Sequence, residues 1–120
     1  MLHKDLDAWK ESMKLVKKVY EITRKYPKDE LYGLTSQMRR SAVSVPSNIA
    51  EGSARNSTKE YVRFLYIAFG SLTELETQII ISYELRFIDQ EKSDYFQNEI
   101  VKIGKIIQGL IKYLANKDDK

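Results

Sequence analysis

Apolar residues recur at alternating steps of three and four along four stretches of the chain, which is the spacing of one buried helix face. This spacing predicts helices over about residues 5–25, 34–55, 58–86 and 90–115, followed by a frayed tail at 116–120. No stretch alternates polar and apolar residues between turn signals, as a strand would. The sequence therefore predicts an all-α fold, an up-down-up-down antiparallel four-helix bundle.

The first predicted helix carries two apolar rows. One row comprises Leu6, Trp9, Met13, Val16 and Tyr20, and the other comprises Leu15, Val19, Ile22 and Tyr26. At about 100° per residue, the two rows lie roughly 130° apart around the helix. Such a helix has more apolar surface than one neighbouring helix can cover.

The second predicted helix contains a proline in its interior. Pro46 cannot donate a hydrogen bond to the carbonyl of Ala42, which predicts a kink at this position. Two short helices that meet at Pro46 are the alternative. The apolar phase continues unbroken from Leu34 to Ile49, and this continuity favours one kinked helix.

Local signals mark the starts of the later helices. Ser57 and Glu60 have the spacing of a capping box at the start of the third helix. The fourth helix begins at Asp89 or Ser93. Gly104 and Gly109 lie in its interior, where each glycine costs about 1 kcal/mol relative to alanine. We therefore expect close packing at both glycines.

Residues 39–52 are unusual for a bundle helix because they combine small, charged and hydroxyl side chains with a proline. One polar face contains Arg40, Ser44, Ser47 and Glu51, with Asn48 beside it and Arg55 one turn further along. This face is either solvated, with a Glu51–Arg55 pair worth about 0.3–0.5 kcal/mol, or packed against another helix or subunit. Serine is a poor choice for an exposed helix, which favours packing. The predicted subunit interface comprises Arg40, Ser44, Ser47, Asn48 and Glu51.

Composition limits the class of protein. With 120 residues, of which 42% are hydrophobic and 31% charged, the chain forms one globular domain over residues 1–120. The absence of cysteine excludes disulfides and thiolate metal sites. The longest apolar run is shorter than the ~20 residues of a membrane span, and the N-terminus does not resemble a signal peptide. We therefore expect a cytoplasmic protein without a membrane partner.

No catalytic motif occurs in the sequence. Its single histidine, His3, lies near the N-terminus, and the Glu-x-x-His pairs of a di-iron bundle are missing. A zinc-protease motif, a phosphate-binding loop and a nucleophile elbow are also missing. We predict a protein that is not an enzyme and has no catalytic residues, metal, cofactor or small-molecule substrate.

The charge distribution indicates a possible anionic partner. The net charge is +3, and residues 1–28 carry eight basic side chains against four acids, whereas residues 66–90 carry one against four. An arc of lysines on the first helix could follow a phosphate backbone, although lysines also serve as ordinary solvated residues. The eight tyrosines are mostly at positions compatible with the core, so we interpret them as packing residues and not as platforms for base stacking. The predicted nucleic-acid contacts are Lys10, Lys14, Lys17, Lys18, Arg39, Arg40, Arg55 and Arg63.

Four motifs carry a family resemblance that spans nearly the whole chain. They are Leu-Asp-Ala-Trp at 6–9, Tyr-Gly-Leu-Thr-Ser-Gln-Met-Arg-Arg at 32–40, Val-Pro-Ser-Asn-Ile-Ala-Glu-Gly at 45–52 and Phe-Gly-Ser-Leu-Thr-Glu-Leu-Glu-Thr-Gln at 69–78. In their order and spacing they resemble the bacterial four-helix-bundle family named for 23S rRNA intervening sequences. The chain is also similar to the accessory variability determinant proteins of diversity-generating retroelements.

The resemblance implies a homopentameric ring of four-helix bundles with a central channel. The accessory variability determinant proteins bind nucleic acid and a reverse transcriptase, which implies a nucleic-acid role here as well. The resemblance supplies no catalytic residues. Our leading hypothesis is a non-enzymatic homopentamer that binds RNA or DNA through basic surfaces with little sequence specificity. The alternative is a protein–protein assembly or adaptor module with no nucleic-acid role.

Overall fold

The computed structural model describes residues 2–118, and within this range it contains four α-helices and no strand. The helices are α1 (Asp7–Thr23), α2 (Leu34–Ser53), α3 (Thr58–Glu84) and α4 (Gln90–Asp118), with short 3-10 turns at His3–Asp5 and Lys28–Glu30. The principal extents of the molecule are 51 × 23 × 20 Å. The prediction of an all-helical fold with four helices is confirmed.

The helix boundaries differ from the predicted ones mainly at the two ends of the chain. Residues 3–5 form a 3-10 turn, so α1 begins at Asp7 and not at residue 5. Helix α4 continues to Asp118, and residues 116–118 are therefore helical, although we predicted a frayed tail there. Residues 119 and 120, the rest of that predicted tail, lie outside the described residues.

Helix α2 is one continuous helix through Pro46, so the alternative of two short helices does not occur. Pro46 is buried, and its ring takes part in the packing of the helix. Because proline has no N–H, the turn at Ala42 has one hydrogen bond fewer than an ordinary helical turn. The kink itself stays a prediction.

The two apolar rows of α1 are buried to different extents. Leu15, Val19, Ile22 and Tyr26 are all buried in the core. The other row, from Leu6 to Tyr20, is only partly buried along its whole length. One side of α1 therefore retains apolar surface that the chain itself does not fully cover.

Helices α2 and α3 form the most extensive helix pair in the molecule, and α1 and α4 the least extensive. Successive residues along α2 meet residues of decreasing number along α3. The hydroxyl of Ser82 lies 3.4 Å from the sulfur of Met38, and the hydroxyls of Ser44 and Ser71 lie 2.8 Å apart. The apolar seam of α4, six residues at alternating steps of four and three, is buried at Phe96, Ile100, Ile103, Ile107 and Leu114 and partly buried at Leu110.

At three helix starts, a side-chain oxygen accepts a hydrogen bond from a backbone N–H of the first turn. The carboxylate of Glu30 accepts the N–H of Leu34 at 3.1 Å at the start of α2. The hydroxyl of Ser57 accepts the N–H of Glu60 at 3.1 Å, which confirms one half of the predicted capping box. Asp89 accepts the N–H of Lys92 at 2.9 Å, so α4 begins at the first of its two predicted starts.

Helix α3 ends in a Schellman motif that has an arginine where glycine is usual. Arg86 has a φ of 63°, in the left-handed region. Its N–H bonds the carbonyl of Tyr83, and the N–H of Phe87 bonds the carbonyl of Ser82, each at 2.9 Å. The Phe87 ring then packs on Tyr26 with a centroid distance of 5.3 Å. The motif thus reverses the chain, and Phe87 anchors the turn to Tyr26, just beyond the end of α1.

The interior glycines serve different purposes. A Cβ on Gly52 would lie 2.8 Å from the Cβ of Phe64, so α2 and α3 approach closely there. A Cβ on Gly104 would meet the ring of Phe69 at 3.4 Å, and this buried glycine fits the prediction of close packing. Gly109 is exposed, and a Cβ there would meet no atom within 4 Å. The prediction of close packing at Gly109 is therefore wrong within the described chain.

Helix α3 is long and apolar enough to span a membrane when judged by length and composition alone. In this structure, 39% of its most apolar 18-residue window is buried against the other helices. The central helix of a bundle meets the same criterion, so length and composition do not distinguish the two.

Candidate nucleic-acid interface

The four predicted contacts on α1 divide into two pairs. Lys14 binds Glu11 at 2.9 Å, and Lys18 approaches Glu21 at 3.8 Å. Lys10 and Lys17 are exposed and form no ion pair within residues 2–118. Because Lys10 and Lys17 are seven residues apart, they lie on the same side of the helix. The two lysines of α1 that form no ion pair, Lys10 and Lys17, thus lie on one side of this helix.

Glu11 connects α1 to α4. Its carboxylate binds Lys102 of α4 at 2.5 Å as well as Lys14. The hydrogen bond from Lys102 is the largest cause, and that from Lys14 the next, of a pKa for Glu11 lowered to about 2 from an ordinary 4.5. The same hydrogen bond raises the pKa of Lys102. The acid therefore neutralises the α4 side of α1, where Lys14 lies.

The two predicted arginines near the start of α2 point in different directions. Arg39 is partly buried: its Nε–H donates to the hydroxyl of Thr23 at 2.9 Å, and its guanidinium lies 4.6 Å from the centre of the Tyr20 ring. Arg40 is exposed and has no acidic partner among residues 2–118. Both arginines line an open groove of about 460 Å³ between α1 and the start of α2.

Arg55 and Arg63 lie at the opposite end of α2, around the start of α3. Arg55 binds Glu51 at 2.7 Å, and Arg63 binds Glu60 through two N–H groups at 3.1 Å each. Both guanidiniums also stack on Phe64, with carbon-to-centroid distances of 4.8 and 4.6 Å. The hydrogen bond from Arg63 lowers the pKa of Glu60. The guanidiniums of these two arginines are thus bound by acidic and aromatic side chains of the same chain, in contrast to that of Arg40.

The predicted interface residues on α2 are used in part within the chain. The hydroxyls of Ser44 and Ser71 share a hydrogen bond, and the amide of Asn48 donates to the carbonyl and hydroxyl of Ser44 at 2.8 and 2.9 Å. The hydroxyl of the buried Ser41 donates to the carboxylate of Glu74. The close helix contact that we favoured for residues 39–52 therefore occurs with α3 of the same chain.

The remaining predicted interface residues lie outside this network. Arg40, Ser47 and Glu51 are exposed. The observed ion pair between Glu51 and Arg55 is the one that the solvated alternative anticipated. Their role in a subunit contact stays a prediction, since the structure contains one chain.

Helix α3 presents an exposed face with no charge along five positions. These positions, spaced as one helix face, are Tyr66, Gly70, Thr73, Thr77 and Ile80. Ile67 and Ile81 lie beside this face and are 40% and 41% exposed. A Cβ on Gly70 would meet no atom within 4 Å, so nothing within the described chain requires glycine there. The uncharged α3 face is a surface that sequence inspection missed.

A narrower groove continues from this face toward α4. It encloses about 230 Å³ between the two helices, and its apolar lining includes Phe69, Leu72 and Val101. Glu76 and Lys105 also line it. Among the described residues, no cluster of three or more histidine, aspartate or glutamate side chains could hold a metal ion.

Comparisons with known proteins identify what the chain is similar to. The sequence profile described as 23S rRNA-intervening sequence protein matches residues 4–109. A crystal structure from Bacteroides thetaiotaomicron, described as a protein with unknown function from the S23 ribosomal protein family, has a TM-score of 0.81 and 20% identity. That likeness covers 88% of this chain and 95% of the other, and at this identity it shows the fold alone. No curated protein matches the chain.

Proposed function

The chain belongs to the 23S rRNA-intervening sequence protein family, and from this membership we propose a non-enzymatic, homo-oligomeric helical bundle that binds RNA or DNA with little sequence preference. The observation that carries the nucleic-acid part is that three of the eight predicted contacts are exposed cations without an acidic partner among the described residues. Within residues 2–118, Lys10, Lys17 and Arg40 are exposed without an acidic partner, whereas Lys14, Lys18, Arg55 and Arg63 are paired. Unpaired cations release counterions when they meet phosphates, and this release favours binding.

The proposed architecture is the up-down-up-down antiparallel bundle. The decreasing order of α3 partners along α2 supports it, as do the short connections between consecutive helices. At the other side of the bundle, Glu11 near the start of α1 binds Lys102 near the middle of α4, and Ile22 near the end of α1 lines a groove with Glu91 at the start of α4, which fits two antiparallel neighbours. In this arrangement Lys10 and Lys17 lie along the long axis of the molecule and could follow a strand.

We propose that the protein assembles through apolar surface left exposed by the single chain. The uncharged α3 face extends over 15 residues, or about 21 Å of helix, and the α1 row from Leu6 to Tyr20 is also only partly buried. Exposed surfaces of this kind are typical of protein interfaces. The family resemblance implies five copies, which would combine five charges of +3 into one assembly. Repeated weak contacts to one strand would then add up to useful affinity.

Binding measured across salt concentrations tests the nucleic-acid part of the proposal. Affinity for RNA or DNA should fall steeply as salt rises, since the slope reports the number of neutralised phosphates. A variant with Lys10 and Lys17 replaced by Gln should lose affinity and slope. Its matched control replaces the paired Lys14 and Lys18 by Gln and should lose less. Absence of binding at low salt would refute the nucleic-acid role.

The adaptor hypothesis differs in a measurable way. If the partner is a protein only, both lysine variants keep the assembly intact and neither changes any nucleic-acid retention. Light scattering measures the assembly in the same samples. A monomer mass at micromolar concentration would refute the homo-oligomeric proposal for the chain.

A further inference from the structure

The groove between α1 and the start of α2 combines aromatic surface with cations and contains no acid. Its lining includes Tyr20, Leu31, Tyr32, Arg39, Arg40 and Val43. Tyr32 is 92% exposed and Leu31 48% exposed, so the apolar part of this groove faces solvent. A tyrosine this exposed contributes nothing to the core, which corrects our sequence-based interpretation of the tyrosines as packing residues.

The position of Tyr32 is fixed by the turn that precedes α2. Tyr32 lies between the 3-10 turn at Lys28–Glu30 and Gly33, whose N–H bonds the carbonyl of Glu30 at 3.0 Å. The carboxylate of Glu30 then caps Leu34, so this acid is engaged with the backbone and does not line the groove. A short turn bonded at both ends holds the ring out from the helix surface at small entropic cost.

The two arginines that line the groove differ in how firmly the chain holds them. Arg39 is held over the Tyr20 ring and by the hydroxyl of Thr23, whereas Arg40 is exposed. Lys17 on α1 precedes Tyr20 by three residues, and Arg24, which caps the end of α1, follows it by four, so the two flank Tyr20. Both are exposed. The groove lining therefore contains two arginines, and Lys17 and Arg24 are exposed on either side of Tyr20.

We propose that this groove is the binding site for a single strand of nucleic acid, with a base stacked on Tyr32 and a phosphate on Arg40. Acid-free lining favours an anionic occupant, and an exposed aromatic ring beside guanidinium groups is how proteins bind single strands without sequence preference. A duplex keeps its bases stacked internally and cannot offer one to Tyr32. The inference rests on the proposed nucleic-acid role and deepens it by assigning the site and the form of the ligand.

Fluorescence anisotropy tests the proposal with labelled single strands of about 20 uridines or 20 thymidines and with a duplex of the same length. Wild type should bind the single strands more tightly than the duplex. Tyr32→Ala should weaken single-strand binding by about 5- to 100-fold, and Tyr32→Phe should restore it because it keeps the stacking ring. The matched control Tyr113→Ala removes another exposed tyrosine, on α4, and should change affinity less than twofold.

The salt dependence of binding distinguishes the phosphate contact at Arg40 from the stacking contact at Tyr32. Arg40→Gln should reduce the slope of log affinity against log salt by about 0.7, the amount expected for one phosphate contact on a single strand. Tyr32→Ala should leave that slope unchanged. If either residue only supported the fold, its substitution would not produce this difference between a changed and an unchanged salt slope.

Each outcome bears on the proposal. If wild type binds no nucleic acid at low salt, both the proposed function and this site fail. If wild type binds and Tyr32→Ala matches Tyr113→Ala, the site is refuted while the function stands. If Tyr32→Ala reduces the mass of the assembly by light scattering, the groove is a contact between copies and the proposal is overturned.

Discussion

A Cβ atom on Gly52 would lie 2.8 Å from the Cβ of Phe64, closer than two such carbons approach in folded proteins. It would also lie 3.2 Å from the carbonyl oxygen of Tyr61. Because backbone and Cβ atoms of α3 stand in the way, no rotation of a flexible side chain could relieve the overlap. The close approach of α2 and α3 thus depends on the missing side chain at residue 52.

We predict that Gly52→Ala lowers the free energy of unfolding by about 1–3 kcal/mol, even though alanine favours helix. Urea unfolding of the variant and of wild type measures this change in free energy. Gly109→Ala is the matched control, since it makes the same change in α4 where a Cβ meets nothing within 4 Å. It should raise stability by up to about 1 kcal/mol. Equal stabilisation by both substitutions would contradict the proposed role of Gly52.

Arg86→Gly should stabilise the protein by about 0.5–1 kcal/mol. Arg86 has a φ of 63°, where an L side chain costs about 1–2 kcal/mol and glycine does not. The greater entropy of glycine in the unfolded chain cancels part of the gain. Thermal unfolding followed by circular dichroism measures the change. Leu85→Gly is the control: residue 85 has an ordinary right-handed conformation, so glycine there should destabilise.

Stability should depend on the charge of Glu11 at low pH. Its pKa in the folded protein is about 2, below the ordinary 4.5, so its ion pairs contribute fully above about pH 4.5. This contribution decreases as the pH falls from about 4.5 to about 2, because over that window the unfolded chain binds a proton at residue 11 that the folded chain does not, and it is gone below about 2. In Glu11→Gln, urea unfolding should vary less with pH over this window.

Glu21→Gln is the control for that measurement. Glu21 is exposed and meets Lys18 at 3.8 Å only, so its substitution should leave the pH dependence nearly unchanged. If both variants followed the wild-type curve, the pair between Glu11 and Lys102 would contribute nothing measurable to the contact of α1 with α4.

Thr77→Lys should reduce the mass of the assembly if the uncharged α3 face is a subunit contact. Lysine at this exposed position places a long charged side chain in the contact but has a good helix propensity, so the single chain should stay folded. Light scattering measures the mass and circular dichroism the fold. Asn98→Lys adds the same charge at an exposed position of α4 and should leave the mass unchanged.

The sequence predicted the helices well because apolar spacing is a local signal. The seam from Phe96 to Leu114 is buried as its 3–4 spacing indicates, and Ser57 caps α3 as its position before Glu60 indicates. The end of α3 was harder to place, since Arg86 takes the left-handed position that glycine usually marks. No residue type signalled that turn.

The surfaces were less predictable because they depend on pairs of residues far apart in sequence. Lys102 binds Glu11 from another helix, and Ser71 meets Ser44, 27 residues away. Periodicity found two apolar rows on α1 but could not tell which row the core would cover. The exposure of Tyr32 follows from the turn before α2, and its spacing outside the helical stripes was the one available clue.

The unequal contacts between helices have a consequence for the order in which the fold is lost. Helices α2 and α3 are joined by a short connection and share the most extensive interface, whereas α1 and α4 share the smallest, between segments at the two ends of the chain. Closing the short loop costs little entropy, so the α2–α3 hairpin should form early and open last. Amide hydrogens of α1 should therefore exchange with solvent through partial openings that leave the hairpin intact.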